Sequence, residues 1–170
     1  MKTLRLTAFL LALPMASGAQ EIDSDVDFTT LRKSAFVKEM RNLAEASWPP
    51  MMQLYTRLDP SLGELTPDFE WSDEFSDAYG CVYDTLSAND GLQDVNITRD
   101  ALVVFMDRVQ ADESVTFLTF VEDEELSDLL MPSDKFANAG SDCGVNNLNI
   151  KLVSESGLMD AMQKIMMESQ

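Results

Sequence analysis

The sequence predicts an all-α fold, a compact single-domain bundle of about five to seven helices with one disulfide. Apolar residues recur at helical spacing along most of the chain, and no two convincing strands are present that could pair with each other. Hydrophobic residues make up 45% of the 170 positions, which is enough for one core and too many for a disordered acidic chain. The third observation is a pair of cysteines, Cys81 and Cys143.

Residues 1–19 have the composition of a secretory signal peptide. Lys2 and Arg5 precede the apolar run 6–13, and small residues follow Pro14 at 16–19. The apolar run is too short to span a bilayer, and we expect cleavage after Ala19. An uncleaved amphipathic anchor is the alternative. The sequence therefore predicts a periplasmic or secreted protein.

The compartment predicted by the leader decides how the two cysteines are interpreted. In an oxidising environment a pair is more often joined than free, so we expect a structural disulfide between Cys81 and Cys143. A redox-active pair is disfavoured because catalytic dithiols are usually close in sequence, as Cys-x-x-Cys, whereas these two are 62 positions apart.

Residues 20–28 are acidic and lack apolar periodicity, so we expect a flexible arm before a helical domain at 29–170. The first helix is predicted over 29–47. The prolines after Trp48 are expected to end it, because a residue preceding proline is disfavoured in the helical conformation. A short helix is predicted at 51–58.

Capping patterns indicate where the next two helices begin. Thr66 followed by Pro67 is typical of an N-cap and first helical position, with an apolar face continuing to Leu86 and a stop at 89–91. Thr98 is predicted as the N-cap of a further helix.

The C-terminal third is less regular. Residues 114–121 are rich in β-branched and aromatic side chains, yet with no partner strand they are predicted to be helical or irregular. A short helix is expected at 122–130. From Ser133 we predict one long helix weakened by Gly140 and Gly144, then a break at Gly157 and a final amphipathic helix.

The chain is strongly acidic, with a formal net charge of −18 at neutral pH. Removal of the leader would leave ten basic and thirty acidic residues, a net charge of −20. Such a charge repels nucleic acid and anionic lipid surfaces. Outside the leader the sequence has no apolar stretch long enough to span a membrane. The expected partner is a protein or a small ligand.

The chain contains no histidine. This removes the usual general base, the usual partner of a nucleophilic serine or cysteine, and the commonest zinc ligand. No cofactor-binding motif is present, and no cofactor is expected. Carboxylates could still act as acid and base, so a carboxylate-dependent hydrolase is the third-ranked hypothesis.

Metal binding ranks second. Methionines at 159, 162, 166 and 167 could bind Cu(I) through their thioethers, although the same spacing is typical of a buried helix face. Residues 23–27 resemble the start of an EF-hand loop, but the sixth position is Phe28 rather than glycine and the twelfth is Ser34 rather than glutamate. Calcium binding by carboxylates therefore has weaker support.

The first-ranked hypothesis is an exported, non-enzymatic binding or interaction protein. It would bind a protein or small ligand through an exposed apolar groove or through its acidic face. The only site residues that the sequence identifies are the two cysteines of the disulfide, Cys81 and Cys143.

Overall fold

A computed structural model describes residues 22–129 and 133–168. Within these ranges the chain is all-α and has no strand, which confirms the predicted fold class. Two 3₁₀ helices, Phe28–Thr30 and Pro60–Leu65, accompany the α-helices. The α-helices are α1 (Lys33–Leu58), α2 (Asp73–Ala88), α3 (Leu92–Ala111), α4 (Phe117–Glu122), α5 (Glu124–Ser127), α6 (Asp134–Asp142), α7 (Val145–Glu155) and α8 (Leu158–Glu168).

Helix α1 is the central element of the core. It packs against α2, α3, α4 and the 3₁₀ helix Pro60–Leu65. The buried apolar side chains form three clusters, and α1 contributes to each: Phe36 to the first, Leu54 to the second and Met52 to the third. Because one helix joins all three clusters, its position determines where the other elements meet.

The prediction that α1 ends at Trp48 is wrong. The helix continues without a break through Pro49 and Pro50 to Leu58. A proline inside a helix removes a backbone hydrogen bond and costs about 3 kcal/mol. Here Met52 and Leu54, which lie beyond the prolines, are buried in separate clusters. Burial of that last part of the helix offsets the local preference to stop.

The predicted helix start at Thr66 is also wrong. Helix α2 begins at Asp73, after Ser72, whose Oγ accepts a hydrogen bond from the amide of Phe75. Residues 66–72 are instead irregular, and the indole of Trp48 on α1 donates a hydrogen bond to the carbonyl of Pro67 at 2.7 Å, which ties this segment to α1. The predicted stop after this helix is confirmed, since α2 ends at Ala88.

Thr98 lies inside α3 rather than at its N-terminus. The helix begins two turns earlier, and the Thr98 hydroxyl donates to the carbonyl of Asp94 at 3.0 Å. The additional turns are held by burial, because Val95 is fully buried and Asn96 accepts a hydrogen bond from the backbone amide of Phe28 at 3.0 Å. The capping interpretation of Thr98 did not account for these long-range contacts.

The C-terminal third follows the sequence prediction more closely. Residues 117–122 are helical, and Thr116 and Thr119 form a capping box at the start of this helix. The single long helix expected from Ser133 is divided into α6 and α7 by Gly144, whose φ of 82° is in the left-handed region. The predicted break at Gly157 is present, with a φ of 80°.

Cys81 and Cys143 are brought together by the packing of α2 on α6. Their sulfur atoms lie 2.03 Å apart, at disulfide-bonding distance, and their Cα atoms lie 5.7 Å apart. Cys143 follows directly after α6, so the pair fixes the end of that helix against α2.

The described part of the acidic segment, residues 22–28, packs on the domain. Phe28 is 2% exposed, and its neighbours Ile22 and Val26 contact the same core cluster. The side chain of Asp27 accepts hydrogen bonds from Thr29 and Asn96, and the Arg99 guanidinium donates to the carbonyl of Val26. The expectation of a flexible arm rested on acidic composition and gave no weight to these three apolar side chains.

The predicted leader, residues 1–19, lies outside the described residues. Among the helices that the structure does describe, none combines the length and apolar character needed to cross a membrane.

Candidate functional site

A cavity of about 430 Å³ lies between α1 and the C-terminal helices. Its walls come from seven helices and from the segment that precedes α2. The lining residues are predominantly apolar and include five methionines. They are Met40, Leu43, Ala44, Ser47, Trp48, Met51, Met52, Tyr55, Phe69, Phe75, Tyr79, Thr98, Leu102, Phe117, Phe136, Asn149, Ile150, Val153, Met159 and Met162.

Helix α1 forms one complete wall of the cavity. The lining positions Met40, Ala44, Trp48, Met51 and Tyr55 follow one another at intervals of three or four residues. Residues with this spacing share one face of an α-helix. The wall therefore depends on α1 remaining helical through Pro49 and Pro50, which is the feature that the sequence did not predict.

Aromatic side chains form the edge of the cavity near α2. The ring of Phe69 lies 5.2 Å from that of Trp48 and 5.4 Å from that of Phe75, measured between centroids. The hydrogen bond from Trp48 to Pro67 fixes the segment that carries Phe69. Tyr79 on α2 stacks on Trp71 at 5.3 Å and completes this edge.

The wall formed by α7 and α8 is more open to solvent. Ile150 is 54% exposed and Met159 is 47% exposed, whereas Met162 is only 9% exposed. The hydroxyl of Ser154 donates a hydrogen bond to the sulfur of Met159 at 3.2 Å, which orients that side chain.

Helix α4 contributes Phe117 to the cavity lining. The ring of Phe117 stacks on that of Tyr55, with 4.8 Å between the ring centroids.

The cavity is electrically neutral within a strongly acidic chain. None of its lining residues is Asp, Glu, Lys or Arg. Burial raises the pKa of Tyr79 to about 12 and shifts the pKa of Tyr55 in the same direction, so both hydroxyls are protonated at neutral pH.

Three carboxyl groups away from the cavity have lowered pKa values. The amide of Asn96 and the hydroxyl of Thr29 lower the pKa of Asp27, while hydrogen bonds from neighbouring serines lower the pKa of Asp59 and Asp112. In each group hydrogen bonding favours the charged form. These are structural carboxylates that cap turns, and none of them lines the cavity.

The cysteines and methionines that the sequence analysis identified lie in different parts of the structure. Cys81 and Cys143 lie away from the cavity lining and have a structural place between α2 and α6. Met159 and Met162 line the cavity, Met166 packs in the third core cluster, and Met167 is 66% exposed. Within the described ranges, no group of three or more Cys, Asp or Glu side chains is arranged to hold a metal ion.

Sequence reasoning missed the α1 wall. The signal was present, because Trp48, Met51 and Tyr55 continue the helical spacing of Met40 and Ala44 across the two prolines. Giving that periodicity more weight than the local effect of proline would have identified a single apolar face.

The chain matches no protein-family model, no curated protein and no solved structure. The geometry of the cavity is therefore the basis for assigning a function.

Proposed function

We propose that this protein is an exported, non-enzymatic binding protein that holds a small apolar ligand in the cavity between α1 and the C-terminal helices. The observation that supports this proposal is the cavity itself, about 430 Å³ in volume and lined by uncharged side chains in a chain of net charge −18. Ligand pockets typically measure about 300–1,000 Å³ and have mainly apolar walls with a few polar groups.

A structural role alone does not explain the composition of this lining. Apolar side chains that face an open cavity lose the stabilisation that burial would give them, and such surfaces commonly mark binding sites. The aromatic and methionine side chains of the lining suit an apolar guest, because methionine adapts to irregular shapes and aromatic rings provide large contact surfaces.

Export is supported by the predicted leader at 1–19 and by the cysteine pair at disulfide-bonding distance. Disulfides persist in oxidising compartments and are rare in the cytosol. Both features support a periplasmic or secreted location for the proposed binding protein.

The test is a fluorescence titration of the oxidised protein with N-phenyl-1-naphthylamine, an uncharged apolar probe. Wild-type protein should bind the probe, and Ala44→Phe, which adds a ring to the cavity wall, should weaken binding by at least about tenfold because ring and probe compete for one volume. The control is Ala111→Phe, the same change at an exposed alanine at the end of α3.

Binding that is absent from the wild-type protein, or equal in the two variants, would contradict the proposal. Thermal unfolding of each variant shows whether it is folded. If Ala44→Phe is not folded, Ser47→Leu is used in its place. It adds a larger side chain to the same wall, and the same loss of probe affinity is expected.

Cu(I) binding is the second candidate function. Five methionines from α1 and α8, namely Met40, Met51, Met52, Met159 and Met162, line one cavity, and thioethers are soft ligands that select Cu(I). The titration above distinguishes the candidates when Cu(I) is added as a competitor. Displacement of the probe from wild-type protein, but not from the triple variant Met51→Leu, Met52→Leu, Met159→Leu, would favour metal binding.

The carboxylate-dependent hydrolase has less support. Such an enzyme needs an acid and a base flanking the bond that is cleaved, and both are carboxyl groups. The residues that line the cavity include neither Asp nor Glu. A hydrolase hypothesis would therefore require a different site.

A further inference from the structure

Three polar groups in the cavity wall already have partners within the protein. The hydroxyl of Ser47 donates to the carbonyl of Ala44, and the indole nitrogen of Trp48 donates to the carbonyl of Pro67. The hydroxyl of Thr98 donates to the carbonyl of Asp94. These groups therefore have their hydrogens engaged and are poorly placed to bind a ligand.

The amide of Asn149 lies on the more open α7 wall and is only partly buried, whereas the hydroxyl of Tyr79 belongs to a buried residue. Tyr79 is 8% exposed, and its hydroxyl makes no hydrogen bond with any residue that the structure describes. No side-chain oxygen or nitrogen in those residues is fully enclosed without a partner, so the Tyr79 hydroxyl has open space beside it. The cavity is the open space that Tyr79 lines.

Tyr55 provides a second hydroxyl in the same cavity, and it too makes no hydrogen bond within the described part of the chain. A hydroxyl that faces mainly apolar walls has few neighbours to bond with, and a ligand atom that accepts its hydrogen supplies the missing hydrogen bond. At neutral pH both phenols are protonated, and although a phenol oxygen can also accept a hydrogen bond, the hydroxyl hydrogen is satisfied only by an acceptor, so the matching ligand group includes one.

The charge of the surroundings limits which acceptor is suitable. An anionic group in the cavity would be desolvated with no lysine or arginine in the lining to pair with it, and the net charge of the chain opposes it. The same net charge attracts a cation, and aromatic rings of the lining could contact one, but the lining has no carboxylate to form an ion pair and replace the water that the cation would lose.

We infer that the cavity binds an uncharged, mainly apolar molecule carrying a hydrogen-bond acceptor such as a carbonyl or ether oxygen, and that the acceptor is bound by the hydroxyl of Tyr79. This inference rests on the proposed function and identifies the ligand class for the same site. The rings of Trp48, Phe69 and Phe75 would contact the apolar part of the ligand.

The test uses four naphthalenes that differ only in one substituent, each competing with N-phenyl-1-naphthylamine on the full oxidised chain. They are 2-acetylnaphthalene, with an uncharged acceptor; 2-ethylnaphthalene, with none; 2-naphthoate, an anion; and 2-naphthylmethyl-trimethylammonium, a cation. We expect the ketone to bind at least about tenfold more tightly than either charged compound, since the charged compounds are desolvated without an oppositely charged partner.

The variant Tyr79→Phe removes the hydroxyl and keeps the ring. It should weaken binding of the ketone by about three- to tenfold, because one hydrogen bond is lost. The affinity for the ethyl compound should change by less than about twofold. The control is Tyr83→Phe, because the hydroxyl of Tyr83 donates to the carbonyl of Leu31, outside the cavity. That variant should leave the ratio of the two affinities unchanged.

The possible outcomes distinguish failure of the inferred ligand class from failure of the proposed binding function. If the fluorescent probe binds but a charged naphthalene binds as tightly as the ketone, or Tyr79→Phe weakens both uncharged compounds equally, the inference about ligand class fails and the binding function stands. If the probe does not bind, the binding function itself fails. If Tyr79→Phe is not folded, Tyr79→Met, which also lacks the hydroxyl, replaces it, and the same loss of discrimination between the ketone and the ethyl compound is expected.

Discussion

Tyr79 illustrates how one residue can be both a core side chain and a binding group. Its ring stacks on Trp71 and belongs to the first core cluster, while its hydroxyl has no hydrogen-bond partner among the described residues. Helical periodicity places such a residue in the core, and this part of the structure is readable from sequence. Whether its hydroxyl meets an acceptor depends on how several elements distant in sequence pack together, and local periodicity does not indicate this packing.

The burial of Tyr79 should appear in the alkaline stability of the protein. Its pKa is raised from 10.0 to about 12 in the folded state, so the folded protein favours the neutral hydroxyl. This stabilisation is fully present below pH 10 and is lost as the pH rises through 12. Wild-type protein should therefore lose about 2–3 kcal/mol more than Tyr79→Phe over this interval.

Denaturant unfolding of both proteins across that pH range measures the difference, and the ultraviolet absorbance of tyrosinate shows when each tyrosine ionises. Equal losses in the two proteins would show that the Tyr79 hydroxyl ionises as freely when folded as when unfolded.

At the scale of helices and turns, the sequence predicted periodic faces well and local boundaries less well. The stop at 89–91 and the break at Gly157 were predicted correctly because the local chain determines them. The end of α1 and the starts of α2 and α3 were predicted wrongly because contacts distant in sequence determine them. Burial of Leu54 extends α1, and the hydrogen bond from Trp48 to Pro67 holds the segment before α2 out of the helix.

Two glycines near the junction of α6 and α7 provide a matched test of backbone conformation. A Cβ atom at Gly144 would meet nothing within 4 Å, but its φ is 82°, so Gly144→Ala should destabilise the protein by about 1–2 kcal/mol through backbone strain alone. Gly140 lies inside α6, where a Cβ makes ordinary contacts at 3.9 Å and beyond. Gly140→Ala should therefore stabilise it by about 0.5–1 kcal/mol.

The free energy of unfolding of the two variants, measured in the same denaturant, should change in opposite directions. A stabilising effect of Gly144→Ala would mean that α6 and α7 are not separated by a left-handed residue.

At the scale of the whole molecule, composition predicted the all-α class and the Cys81–Cys143 pair, and the structure supports both. An exposed apolar groove was one of the expected binding surfaces, but neither its position nor its lining residues were predicted. A cavity forms where faces of several helices diverge, and here its lining comes from seven helices and one irregular segment. Each face is visible in the sequence as a periodic pattern, but the angles between helices depend on the packing of Phe36, Leu54 and Met52 in three separate clusters.

Linking Cys81 to Cys143 should contribute substantially to the stability of the molecule as a whole. Closing a loop across 62 positions restricts the unfolded chain and stabilises the fold by about 4 kcal/mol in the chain-entropy description. Reduction should lower the free energy of unfolding by about that amount. A variant with both cysteines changed to serine should reproduce the loss and should no longer respond to reductant. An unchanged unfolding midpoint after reduction would contradict a stabilising role for the pair.

The two long walls of the cavity differ in how freely they can change. The α1 wall joins all three core clusters, so substitutions there act on folding as well as on binding. The α7–α8 wall presents Ile150 and Met159, both about half exposed, so their replacement costs the fold little. Substitutions in the α7–α8 wall could therefore change ligand specificity while the α1 wall keeps the fold intact. This division makes the domain a natural starting point for selecting new binding specificities.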